Sequence, residues 1–128
     1  MERTTVSSGT DWEAHVGYSR AVRVGDQVHV SGTTPVDDAG DVVGETPYEQ
    51  TVAALEILEA ALEEAGAGLD DVVRSRMYVT DIDDYEGIGE AHGEVFSDVR
   101  PAATMVEVSR LVDEDFAVEI EATAVVTE

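Results

Sequence analysis

The period with which apolar residues recur changes several times along this chain, and each change marks an element. Between Tyr18 and Gly32, the apolar groups Ala21-Val22 and Val28-His29-Val30 flank Gly25-Asp26, which predicts two strands joined by a tight turn. In Thr33 to Glu45, the Asp37-Asp38-Ala39-Gly40 run is turn chemistry between two short extended pieces, read as a third strand region. The period then lengthens. Val52, Leu55, Leu58, Leu62 and Ala65 follow helical spacing behind Thr46-Pro47-Tyr48-Glu49, where a Thr cap, a Pro at the first helical position and a Glu three residues after the cap form a start signal. Gly66 is the stop.

Val72 to Thr80 is rich in β-formers and predicts a strand. A second helix begins around Asp83-Asp84. Tyr85, Ile88, His92, Val95 and Phe96 share one of its faces, and Arg100-Pro101 ends it, because the residue before a proline is driven out of helical conformation. Thr104 to Val108 and Val118 to Val126 close the order as β-β-β-α-β-α-β-β. This is one α+β domain over residues 1–128, a sheet with two helices on one face. In the last strand Val118, Ile120, Ala122 and Ala124 take one face, while Glu119, Glu121 and Thr123 take the other. A second copy of the chain or water could cover that second face.

Composition narrows the function. The chain carries 29 Asp plus Glu against 7 Lys plus Arg, a formal net charge of −22, and all seven cations are arginine. The acids are scattered and form no long block, so the charge reads as adaptation to a saline cytoplasm, where molar salt shortens the screening length to about 3 Å. A nucleic-acid backbone would be repelled, and nucleic acid is not an expected partner. No apolar run approaches the length that spans a bilayer, and residues 1–17 lack a secretory pattern, so the expectation is a cytoplasmic protein with no membrane partner. There is no Cys, which removes thiolate chemistry, disulfides and Cys-based metal sites.

Candidate chemistry is sparse. His92 lies on the apolar stripe of the second helix, where a histidine serves either as a core or interface residue or as a proton shuttle beside a pocket. His15 and His29 have no second ligand at local spacing, so no metal site is expected. Ser31 lacks an evident base for a serine triad. Trp12 and Tyr18 could form an aromatic wall, or Trp12 could pin the amino-terminal segment. On the residues alone, Glu119 and Glu121 are two acids on a solvated sheet face.

Three stretches, GYSRAVRVGDQVHVSGTTPVDDAGDVVG, EQTVAALEILEAALEEAGAGLDDVVRSRMYVTDIDDY and RPAATMVEVSRL with VEIEATAVV, together resemble the Rid family of YjgF-like proteins over nearly the whole chain. The resemblance implies a chorismate-mutase-like fold, a homotrimer, and small-molecule sites in the clefts between subunits. It also implies cofactor-free hydrolysis of reactive enamines or imines to keto compounds and ammonia. The family includes members without demonstrated deaminase activity and members described as ribonucleases or translation inhibitors, so a non-catalytic metabolite-binding or regulatory module is the alternative.

Residue by residue, the resemblance makes Tyr18 a pocket tyrosine, Gly32 a glycine whose backbone faces the ligand, and Glu119 the acid that positions the attacking water, with a pKa raised by partial burial. Thr33 stands where the deaminases usually have Gln. Ala103, followed by Thr104, stands where their Arg clamps the substrate carboxylate. Losing an arginine fork could cost on the order of a hundredfold in binding a small 2-imino acid. Arg20, two residues after Tyr18 and on the same side of an extended segment, is the candidate replacement anchor, or else a solvated charge.

Overall fold

The computed structural model describes residues 1–127. Its strands are β1 (Arg3–Val6), β2 (Ala21–Val24), β3 (Gln27–Thr33), β4 (Val72–Val79), β5 (Ala102–Glu107) and β6 (Val118–Val125); its helices are α1 (Asp11–Val16), α2 (Pro47–Glu64) and α3 (Tyr85–Phe96). They form one six-stranded sheet in the order β1-β2-β3-β6-β4-β5, all neighbours antiparallel except β4 and β5. The expected α+β architecture is therefore present.

The predicted element order needs two corrections. The sixth strand is β1, an amino-terminal edge strand that pairs with β2 from Arg3 opposite Val24 to Val6 opposite Ala21. The strand region expected after β3 shrinks to one bridge between Val36 and Val42. Its turn forms as expected, with the Asp37 carboxylate accepting from the Ala39 and Asp41 amides, but the flanking pieces are too short to build a ladder. The second correction is α1, a third helix of six residues capped by the Thr10 side chain, which accepts from the Glu13 amide.

The α2 start is as the sequence predicts. Thr46 accepts from the Glu49 amide, while the Glu49 carboxylate reaches back to the amide of Glu45, one residue beyond the cap. At its far end Gly66 adopts a φ of 83°, and the Arg23 guanidinium donates to the carbonyls of Ala65 and Gly66, satisfying acceptors that the helix leaves open. Leu55, Leu58 and Leu62 of α2, with Ile88 and Phe96 of α3, pack on the sheet face formed by Val28, Val30, Met77, Val79, Val118 and Ile120. The alternation of β6 holds: Val118, Ile120, Ala122 and Ala124 are buried, and Glu119, Glu121 and Thr123 are half-buried on the opposite face.

One irregularity in this sheet positions the site. From Val30 to Thr33 is three steps along β3, but their partners Ala122 and Ile120 are only two steps apart on β6. The extra residue falls at Ser31-Gly32 and makes a bulge, a device that bends a strand locally and re-aims what it carries.

Candidate functional site

Tyr18 and Arg20 stand immediately before β2, in a segment stitched to the sheet on both sides. The Arg20 amide donates to the Val6 carbonyl, the Ser31 amide donates to the Arg20 carbonyl, and the Ser31 hydroxyl donates to the Ser19 carbonyl at 2.6 Å. The Arg20 guanidinium donates to the carbonyl of Gly32 at the bulge. Gly32 in turn meets Glu119 of β6. A Cβ built on Gly32 would come within 2.9 Å of the Glu119 carboxyl carbon and 3.3 Å of its Cγ, so the glycine leaves the space in which the carboxyl lies.

These residues converge on a cleft of about 520 Å³. Tyr18, Arg20, Gly32 and Glu119 line it together, Trp12 of α1 forms part of its wall, and Phe116 and Val112 close it from the segment before β6. Burial raises the pKa of Glu119 above the ordinary carboxylate value; the Arg20 charge opposes the rise and the Glu121 charge adds to it. A carboxyl held this way is a better proton acceptor once ionised than an exposed one, and it sits beside a cation. Arg20 is the sole cation lining the cleft. Its Nε is buried with no partner, so the guanidinium retains donor capacity.

A larger hollow of about 680 Å³ lies on the other side of Arg20, between Val6–Ser8, Asp38 and the α2 residues Ile57 to Glu64. It lacks Glu119 and Gly32, and its ionisable lining beyond Arg20 is acidic. What sets the smaller cleft apart is that Glu119 and Gly32 line it beside Arg20 and the aromatic walls.

The remaining predicted site residues lie elsewhere. Thr33 is 0% exposed, with its hydroxyl donating to the Ser31 carbonyl, and faces the core instead of the cleft because the bulge restores alternation after Gly32. His92 shares a 2.8 Å hydrogen bond with the buried Ser75 hydroxyl, and its ring lies tilted against Phe96 at 4.6 Å, which makes it part of the packing under the sheet. Burial lowers its pKa. Ala103 and Thr104 lie on the edge strand β5, separated from β6 by β4, and do not line the cleft within one subunit. Glu121 is occupied: it accepts from the Tyr78 hydroxyl and pairs with Arg76 at 3.7 Å. Among the described residues there is no cluster of three or more His, Asp or Glu that could hold a metal, and no helix long and apolar enough to cross a membrane.

Val112, Phe116 and Glu13 escape the sequence reasoning. Phe116 could have been found by extending the period-two pattern of Val118 and Ile120 back two residues. The signal for Glu13 was the Thr10-x-x-Glu13 spacing of a helix start.

Fold and cleft together define a small α+β protein whose cleft sets one acid and one cation beside a backbone bulge. The chain belongs to the Endoribonuclease L-PSP family, also called the YjgF/RutC/Rid family, whose profile matches residues 9–126. A crystal structure of a YjgF/YER057c/UK114 family member from Mycobacterium tuberculosis superposes with a TM-score of 0.90 at 49% identity, covering 98% of this chain and 100% of that one. A RutC family protein of Pyrococcus abyssi is 42% identical over 108 residues, 84% of each chain. The 2-iminobutanoate/2-iminopropanoate deaminase of Salmonella typhimurium is 34% identical over 111 residues, 84% of this chain and 86% of its own.

Proposed function

We propose that this protein hydrolyses the C=N bond of small 2-imino acids, or of the enamines that tautomerise to them, releasing a 2-oxo acid and ammonia. The observation that carries this reading is the Glu119 carboxyl seated over Gly32 with the Arg20 guanidinium bonded to the same glycine. The name of the Salmonella relative supports it.

In the proposed reaction Glu119, ionised, takes a proton from water as the water oxygen bonds to the imine carbon. The C=N π pair moves to nitrogen, which takes up a proton, giving a tetrahedral carbinolamine. A second proton transfer from the hydroxyl, with Glu119 as the relay, lets the C–N pair leave as ammonia while the carbonyl forms. Water and imine go in; ammonia and 2-oxo acid come out, with no redox change. Such a reaction asks for a positioned water, a proton acceptor and an anchor for the substrate. Arg20 is the proposed anchor for the substrate carboxylate, and Trp12, Tyr18 and Phe116 are proposed as walls for its side chain.

The same reading carries a homotrimer in which β5 of a neighbour, with Ala103 and Thr104, borders the cleft, and a cytoplasm of high salt. Ala103 offers no charge there, which favours Arg20 as anchor and also supports the second reading, a trimeric module that binds a metabolite without converting it. Endoribonuclease activity has less support, since a net charge of −22 without lysine opposes RNA binding.

The test is ammonia and 2-oxo acid release from 2-imino acids generated in situ by an amino acid oxidase, in molar KCl, with wild type and Glu119→Gln. Acceleration by wild type and its loss in the variant are expected. Wild type that speeds none of them, yet is thermally stabilised by an unchanged 2-oxo acid, would transfer the assignment to the binding module.

A further inference from the structure

Glu13 is the only buried charged residue among those described, 4% exposed. Burying a carboxylate is costly unless it is hydrogen-bonded, and this one is. Ser7 Oγ donates to Oε1 at 3.1 Å, the Ser8 amide donates to Oε1 at 3.2 Å, and Ser8 Oγ donates to Oε2. Burial pushes its pKa up, but the bonds from Ser8 and Ser7 and the Arg20 charge outweigh that and hold it below the ordinary value, so it stays ionised. Its own carbonyl accepts from the amides of Gly17 and Tyr18, at 2.8 and 3.0 Å, closing α1 and fixing where Tyr18 leaves it.

No other α1 side chain is buried, and Trp12 is 56% exposed. Glu13 is therefore the one buried side chain of α1, and it ties the helix to the Ser7-Ser8 segment that leads out of β1. Trp12, Tyr18 and Arg20, with Thr34 and Val36, line both the 520 Å³ cleft and an adjoining hollow of about 320 Å³, so α1 and its exit form one side of the partition between the two spaces.

We propose that α1 is the size-specificity element of the cleft and that Glu13 is its positioning residue: the clasp of its carboxylate by Ser7 and Ser8 holds Trp12 and Tyr18 as the wall against which the ligand side chain must fit. Releasing the clasp joins the cleft to the adjoining hollow and admits bulkier ligands, while Glu119 and Gly32, held by β3 and β6, stay in place. This rests on the cleft being the ligand site of the preceding subsection.

Trp12 is the single tryptophan, so its fluorescence reports α1 directly. The experiment compares wild type with Glu13→Ala in molar KCl by Trp12 anisotropy, and by titration with pyruvate and with the bulkier leucine-derived 2-oxo acid. In Glu13→Ala, anisotropy is expected to fall and the affinity ratio of the bulky to the small acid to rise about tenfold, the scale on which a pocket discriminates side chains. A general loss of stability would weaken both acids alike. A folded Glu13→Ala protein with unchanged anisotropy, or with an unchanged ratio, overturns the proposal. If that variant does not fold, the Ser7→Ala/Ser8→Ala protein, which keeps the carboxylate and removes two donors, is held to the same two criteria. Wild type that binds neither acid would overturn the functional reading instead, and the anisotropy comparison then decides on Glu13 by itself.

Discussion

The Glu119 carboxyl lies where the side chain of residue 32 would be, so Gly32 and Glu119 occupy one volume between them. The bulge that creates this volume also turns the Gly32 carbonyl to Arg20. Acid and cation are thereby referenced to a single backbone position.

Gly32→Ala tests that relationship. A methyl 2.9 Å from the Glu119 carboxyl carbon must displace it, and a displacement of about 1 Å can cost on the order of a hundredfold in rate. The expected outcome is a fall of that size in imine hydrolysis, with a stability loss of about 1–3 kcal/mol from overpacking. Kinetics within twofold of wild type would show that the position of Glu119 does not matter.

The raised pKa of Glu119 gives two pH dependences of known sign. As a base it works ionised, so the rate should rise with pH through its folded pKa, above the ordinary 4.5, and Glu119→Gln should lose this limb with the activity. For stability the folded protein holds this proton more tightly than the unfolded chain. The associated stabilisation is therefore present below the unfolded pKa and is lost as pH rises through the folded one. Glu119→Gln should consequently be more stable than wild type at neutral pH, with the gap closing toward pH 4, read by denaturant melts across that range.

Arg20 should carry ligand affinity more than rate. Arg20→Met, which keeps the stem and removes the charge, should weaken binding of a 2-oxo acid by about tenfold to a hundredfold, the worth of one to two charge-assisted hydrogen bonds. Arg20→Lys should recover only part of this, because the Gly32 carbonyl and the ligand must share a fork that an ammonium does not offer. Equal affinity in all three proteins would return Arg20 to the role of a strand cation.

His92 and Ser75 form a pair whose loss should be felt in folding and not in the reaction. Ser75→Ala leaves the half-buried imidazole without its partner and should cost about 1–3 kcal/mol. The His92 pKa is depressed by burial, so the stability held by its neutral form is present above the unfolded value near 6.5 and is lost as pH falls through the folded one. A change in kcat/KM beyond twofold in Ser75→Ala would instead place His92 with the site.

Salt should stabilise the protein. Arg76–Glu121 is the only ion pair among the described residues, so salt has little attraction to screen and the repulsion of 29 carboxylates to relieve. Tm should rise steadily from dilute buffer to 1 M KCl. A flat or falling Tm would speak against adaptation to a saline cytoplasm.

Legibility in the sequence followed how local each signal was. The α2 helix carries its own cap, proline, stripe and stop, and β6 its own alternation, so both were readable within a single segment. β1 hid because three of its four residues are exposed, and α1 because its one buried position is a glutamate, the reverse of an amphipathic pattern. The turn chemistry that predicts a third strand region is real but has no ladder beside it. In the cleft, Tyr18, Gly32 and Glu119 were named through the family resemblance and Arg20 through its spacing from Tyr18. Their convergence depends on a bulge between strands distant in sequence, which no local period encodes. Thr33, a site residue by the resemblance alone, faces the core because the same bulge shifts the alternation past Gly32.

The clasped α1 has a consequence for how such a protein can change over generations. The acid sits on β6, with a strand on each side, where most substitutions would endanger the whole sheet. Trp12's part of the wall sits on a six-residue helix outside the sheet whose one buried side chain is Glu13, where a substitution risks little beyond that clasp. If the proposed roles of Glu119 and α1 hold, chemistry and choice of ligand are inherited on separable parts of the chain, and residues 7–17 can be redesigned to suit a new ligand while the β3–β6 core of the cleft stays as it was.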